Sequence, residues 1–292
     1  MNRGILYMLV SGLCFIMVNT FVKLLGPQEV EGFKDLQHYP AHELVLARSI
    51  VSVIISFLVI KKKKIPIFGN NIPWLIIRGL SGMVALTIFF STLHYLPMAI
   101  AVAVQYLAPI FTIIFAMIIL RERVKLIQWG FIALSFLGVI LILFSRNETT
   151  NGEISLFWLG LGIISATLSG LAYTAIMKLK ETDEPITIVF YFPMVSIPFM
   201  IILCFFEFTI PQGIEWLYLL LIGIFTQLAQ IALTKALHSG SVAKIIPIQY
   251  LGAIYAFLIG YFIFMESISG VIVLGIVLVI SGVTSNAIVR KS

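Results

Sequence analysis

Long apolar runs separated by short polar breaks organise this chain from end to end. Reading between the breaks gives ten segments, at about 4–25, 42–60, 73–93, 98–120, 126–144, 156–178, 186–206, 214–236, 242–264 and 268–289. Each approaches the roughly 20 residues that an α-helix needs to cross a hydrocarbon core. Almost nothing is left over for a soluble domain, so the pattern predicts ten membrane-spanning helices joined by short loops.

Composition agrees with that pattern. Hydrophobic residues make up 60% of the chain, charged residues 11%, and mean hydropathy is +1.09; an ordinary soluble domain carries roughly 25% charge. So few charges cannot cover a soluble surface, which makes the lipid bilayer the solvent for most of this one. The net charge of +6 does not point to nucleic acid, because the cations are dispersed at helix ends. Cys14 and Cys204 both fall inside apolar segments and imply neither a disulfide framework nor a metal site. Arg3 and the apolar run behind it look like a signal peptide, but no small-residue cleavage site follows. Asn19 and Lys23 interrupt the region where one would fall, so the run is read as a retained first span. With both termini inside, fourteen Lys and Arg lie on the cytoplasmic side and only Lys34 and Arg146 outside. Cytoplasmic loops are the ones enriched in Lys and Arg, which orients the chain in a cytoplasmic (inner) membrane.

The second half repeats the first at an offset of 144. His94 matches His238, Gln105-Tyr106-Leu107 matches Gln249-Tyr250-Leu251, Glu122 matches Glu266, and Gly138 matches Gly282. Loop charges are exchanged between the copies. Glu122 sits among Arg121, Arg123 and Lys125, while Glu266 has no cation beside it in sequence; the loop after His94 lacks Lys and Arg, while His238 is flanked by Lys235 and Lys244. Matching loops therefore face opposite sides of the bilayer, and inverted duplication is characteristic of secondary transporters. The expected architecture is all-α: ten transmembrane helices as two inverted five-helix repeats, residues 1–146 and 152–292. At the first helix the better offset is 155, pairing Lys23 with Lys178. The difference places an insertion in the outer loop Gly26 to Ala41, read as a connector.

Leu107-Ala108-Pro109-Ile110-Phe111, then Glu122, Gln128-Trp129-Gly130 and Gly138-Val139 resemble the signature of EamA-type carriers of the drug/metabolite transporter superfamily. The second copy carries Glu266, Gly275 and Gly282, but has Ala253 where the first has Pro109. The resemblance spans essentially the whole chain. It implies a carrier that moves a small metabolite by alternating access through a central cavity. That cavity would be surrounded by helices 1, 3, 4, 6, 8 and 9, with 5 and 10 at the back or in a homodimer contact.

Polar side chains at membrane depth are costly unless they face a cavity or find partners. Gln105 and Gln249, each about seven residues into its helix, stand on opposite sides of the midplane. With Tyr106 and Tyr250 they either meet a polar solute or clamp helices together. Gln227 and Gln230 are three apart and share a face. Their repeat mates are Met83 and Leu86, so this polarity belongs to one half and favours a solute role. Asn19 and Tyr173 sit at comparable depths and serve either solute or packing. Arg48 has no acid at helical spacing; it either snorkels or recognises an anion, and because the EamA pattern carries Arg there, a structural role is favoured. Arg78, near the inner end of its helix, is read as an anchor. Lys23 and Lys178 snorkel or gate on opposite sides, His94 and His238 are interface residues, and Glu122 and Glu266 cap or pair at helix ends.

Pro109 and Pro247 permit kinks beside the two Gln-Tyr-Leu sites. For Gly79, Gly82, Gly160, Gly162, Gly170 and Gly223, ordinary membrane-helix composition suffices for most. Gly130, Gly138, Gly275 and Gly282 suit a packing or homodimer face. None of the thirteen acids lies deep inside a predicted helix, which argues against obligatory ion coupling.

The expected function is secondary transport of a small polar metabolite, an amino acid or related compound, by export or exchange, with no cofactor. Uptake or exchange of a nucleotide-derived metabolite such as S-adenosylmethionine is a second reading, supported by Tyr106, Tyr173 and Tyr250 as stacking surfaces. A lipid translocase or non-transporting scaffold is a third; a translocase needs a laterally open groove, a solute carrier an enclosed midplane cavity. An enzyme is disfavoured, since the sequence shows no Ser/His/Asp array, metal-spaced cluster or buried acid pair.

Overall fold

A computed structural model describes residues 3–27, 36–121, 125–144, 155–238, 251–266 and 269–289. Among them are eleven helices and no strand. The first repeat holds α1 (Arg3–Leu24), α2 (Ala41–Lys63), α3 (Ile72–Tyr95), α4 (Met98–Gln105), α5 (Ala108–Ile119) and α6 (Leu126–Phe144). The second holds α7 (Leu156–Leu179), α8 (Pro185–Cys204), α9 (Glu215–His238), α10 (Leu251–Phe262) and α11 (Gly270–Val289). Seven segments are long and apolar enough to cross a bilayer, with α4 and α5 together forming one of them from Met98 to Ile119. The shorter apolar helices α6 and α11 and the described part of the ninth span, α10, complete the all-α membrane fold. Glu122, Pro247, Gln249, Tyr250 and residues 28–35 of the Gly26–Ala41 connector lie outside the described residues.

Inside a bilayer, backbone and hydroxyl groups must be satisfied by the protein itself. Among the described residues, nine spanning Ser and Thr return their hydroxyls to the carbonyl one turn earlier: Thr20 to Ile16, Ser81 to Ile77, Thr87 to Met83, Ser91 to Thr87, Thr112 to Ala108, Ser135 to Phe131, Thr167 to Ile163, Thr174 to Gly170, and Ser196 to Phe192. The fourth span breaks between α4 and α5 at Tyr106–Leu107. Pro109, in the first turn of α5, has no N–H to continue the ladder, so the bend falls beside Gln105.

The helix pairings are those of a two-fold inverted repeat. α1 packs on α9 as α7 packs on α3, α2 packs on α9 as α8 packs on α3, and α2–α8 and α6–α11 pair with their own mates. Close approaches obey the same offset. A Cβ at Gly79 would strike Val195, and one at Gly223 would strike Val51; 79 and 223, like 51 and 195, differ by 144. A Cβ at Gly138 would meet the Gly275 carbonyl, and one at Gly282 the Phe131 carbonyl, which are again mates. Arg121 and Met265, also mates, are both in the left-handed region at φ 56° and 50°. The repeat therefore extends back through the second helix of each half. Composition does not account for the glycines: Gly79, Gly82, Gly170 and Gly223 each seat a neighbouring helix, whereas Gly160 has open space. Gly138, Gly275 and Gly282 are used within the chain, at the α6–α11 contact, whereas Gly130 has open space.

Candidate functional site

A cavity of about 140 Å³ lies between the repeats, room for on the order of ten water molecules. It gathers Asn19 from α1, Arg48 from α2, Arg78 from α3, Gln105 and Tyr106 from the α4–α5 break, Ser169 and Tyr173 from α7, and Gln230 from α9. Phe192 of α8 and Gly252 of α10 also line it. Helices 2 and 7 of the ten-span scheme thus join the six expected to surround it. Tyr173 sits at the junction, packing against each of the three buried apolar clusters.

Six of the nine residues singled out in the sequence come together here: Asn19, Arg48, Gln105, Tyr106, Tyr173 and Gln230. Gln227 does not. It is buried against α2, donating to Ser56 Oγ at 2.7 Å. Three residues of helix are 60° short of a full turn, enough to aim Gln227 into the α2–α9 contact and Gln230 into the cavity. Gln105 faces the cavity but is also a clamp. Its Nε2 donates to Ser169 Oγ at 2.8 Å, and its Oε1 accepts from Ser165 Oγ at 3.0 Å. Tyr106 lies against Gly252, where any side chain would overlap its hydroxyl.

The residue most misplaced from sequence is Arg78. Rather than anchoring at the inner interface it is buried, 4% exposed, and turned into the cavity. Its Nη2 reaches Gln230 Oε1 at 3.5 Å, a long contact. Arg48 is 2% exposed. The guanidinium carbons of Arg48 and Arg78 lie 4.7 and 5.6 Å from the centroid of one ring, Phe192, and Phe192 is the repeat mate of Arg48. Local sequence explains the arrangement. Gly79 lets α8 approach α3, with the Tyr191 carbonyl 3.2 Å from where its Cβ would be, and Gly82 one turn on leaves space that the Arg78 guanidinium fills. The Arg78–Gly82 spacing of four was the available signal, since it opens room over an arginine at membrane depth.

Polar contacts also close the end of the bundle at which α1 finishes and α4 begins. The Lys23 ammonium lies 2.8 Å from Glu266 Oε1, both side chains no more than 2% exposed. It donates to the carbonyls of Leu93 and Leu96 at 3.2 and 2.7 Å. Glu266 Oε2 accepts the N–H of Met98, at the start of α4, at 2.8 Å. His94 reaches the Val22 carbonyl at 3.0 Å, tying α3 to α1. At the start of α9, Glu215 accepts from Tyr39 Oη at 2.5 Å and from the backbone of Gln37 at 2.6 Å. Burial, reinforced by that carboxylate, pushes the Tyr39 phenol above its ordinary range.

A cavity shared by two inverted repeats, with polar and arginine side chains set in an apolar lining, fits a multi-pass small-molecule transporter. The model of the EamA-like transporter family matches the chain twice, at residues 2–144 and 156–287, and the chain belongs to that family. It is 26% identical over 256 residues to the pseudopaline exporter CntI of Pseudomonas aeruginosa strain UCBPP-PA14, covering 87% of this chain and 85% of that one. Identity is 25% over 267 residues with the riboflavin transporter of Vibrio cholerae, 90% and 85% covered. It is 26% over 191 residues with the S-adenosylmethionine uptake transporter of Rickettsia felis, 65% and 63% covered. A crystal structure 16% identical superposes over 99% of this chain and 98% of its own with a TM-score of 0.66, which speaks to the fold alone.

Proposed function

We propose that this protein is a secondary carrier exporting or exchanging a small polar metabolite of amino-acid size by alternating access. It would sit in the cytoplasmic membrane with both termini inside. The observation that supports this most is the cavity itself, to which Asn19, Arg48, Arg78 and Gln105 of one repeat and Ser169, Tyr173 and Gln230 of the other contribute together. Relative motion of the repeats would reshape such a site and alternate its access. The paired Lys23 and Glu266 and the Tyr39–Glu215 contact support reading this state as closed on the outside. Asn19, Arg48, Tyr106, Tyr173 and Gln230 are the proposed solute contacts, with Gln105 positioning the α4–α5 bend; Gln249 and Tyr250 remain candidates by repeat symmetry.

Purified protein in liposomes tests the reading. Preloaded solute should drive counterflow of the same labelled solute, without an imposed ion gradient. Strict dependence on a proton or sodium gradient would contradict the exchanger reading. Equal transfer of labelled phospholipid between leaflets would favour the translocase instead.

A further inference from the structure

Two guanidinium groups line this cavity, and no carboxylate among the described residues pairs with either. The described ion pair is Lys23–Glu266, where α1 finishes and α4 begins. The Nε atoms of both Arg48 and Arg78 are buried without a hydrogen-bond acceptor. Residues 239–250, which lead directly into the cavity-lining Gly252, contain no Asp or Glu in their sequence. Like charges buried in low dielectric repel each other and lose hydration, so a protein retains them when something else supplies the counter-charge. The face of Phe192 offsets a part of that cost but carries no net charge.

We propose, resting on the carrier reading above, that the solute is a small organic dianion, its anionic groups held by Arg48 and Arg78. Guanidinium is the cation that meets carboxylate or phosphate oxygens two at a time. Both arginines bear on one ring, placing two positive forks within reach of a single small solute. The remaining lining suits the solute's carbon skeleton: Phe15, Ile16, Leu86, Phe89 and Phe90 form an apolar wall. Gln105 supplies little recognition, because both its amide atoms are engaged by Ser165 and Ser169. Gln230, already at Arg78, serves to orient that guanidinium. Inverted repeats add a further point. Arg48 and Phe192 are mates across the axis, so the positive charge comes from one half only.

Counterflow in proteoliposomes distinguishes the outcomes. Vesicles are loaded in turn with succinate, glutamate, glycerol phosphate, glutamine or alanine, and exchange with the same labelled solute is measured. Succinate, glutamate or glycerol phosphate should exchange and the neutral pair should not; which of the three is fastest separates carboxylate from phosphate recognition. Arg48→Gln and Arg78→Gln should each reduce anion exchange about tenfold or more. Arg48→Lys and Arg78→Lys, which keep the charge but lose the fork, should restore part of it. Monodispersity on gel filtration separates loss of transport from loss of fold. Exchange of glutamine or alanine as fast as the anions overturns the charge assignment while leaving the carrier reading intact. Undiminished anion exchange in the double Gln variant does the same. No exchange of any solute by monodisperse protein overturns both.

Discussion

Lys23 and Arg48 are both cations buried inside this bundle, at 1% and 2% exposure, yet their surroundings are opposite. Lys23 has a carboxylate, two backbone carbonyls and the Phe264 ring at 5.4 Å. Arg48 has a phenyl face and another arginine for company. Burial alone therefore does not say what a charge is for; the partners do. A cation whose protons are all met by the protein holds helices together. One turned into a cavity without an acceptor is held ready for something that enters.

Breaking the Lys23–Glu266 pair should have the largest effect. Glu266→Gln leaves Lys23 buried without its counter-ion and should cost about 3–5 kcal/mol, read as a large fall in melting temperature in detergent. A fall of only a degree or two would mean the pair is solvated. Arg48→Gln is the counter-experiment, because removing an unpaired buried charge should leave the melting temperature unchanged or raise it while transport falls. A loss of stability like that of Glu266→Gln would make Arg48 a structural residue after all.

Gly282→Leu probes the frame remote from both charges. Its side chain would overlap the Phe131 carbonyl and Ser135 of α6, an overpacking worth about 1–3 kcal/mol. Solute preference should not change. Tyr39→Phe removes one hydrogen bond to the Glu215 carboxylate and should cost about 1.5 kcal/mol. The folded phenol is held above its ordinary pKa, so its contribution is complete below about pH 10 and lost as pH rises past it. The Tyr39→Phe penalty should consequently be flat between about pH 6 and 9; a titration near neutrality would point to another group. Gly82→Ala has the smallest effect on stability, since its Cβ would displace the flexible end of Arg78 and only press the edge of the Phe192 ring at 3.0 Å. It should still raise the KM for solute several-fold, which a packing role alone would not do.

Much of this was legible in the chain. Apolar run length marked the spans, and exchanged loop charges identified an inverted pair of repeats. Polar residues at depth located six of the cavity's residues, because a bilayer leaves such groups few places to go. What stayed hidden depended on direction and on distant partners. Arg78 is as far from a helix end as many snorkelling arginines, and only the glycines at 79 and 82 turn it inward. Gln227 and Gln230 look alike in sequence, but 60° of rotation separates a clamp on Ser56 from a cavity wall. Lys23 and Glu266 are 243 positions apart, and the offset pairing Lys23 with Lys178 gives no hint that they meet.

The central claim is that the solute supplies the counter-charge which Arg48 and Arg78 lack. Melting of the purified protein with and without succinate or glycerol phosphate tests it most directly, set beside the Arg48→Gln/Arg78→Gln variant and neutral glutamine. The account predicts that at least one dianion raises the melting temperature of the wild type alone and that glutamine does nothing. Equal protection of the wild type and the double variant, or protection by glutamine as strong as by the dianions, would contradict it.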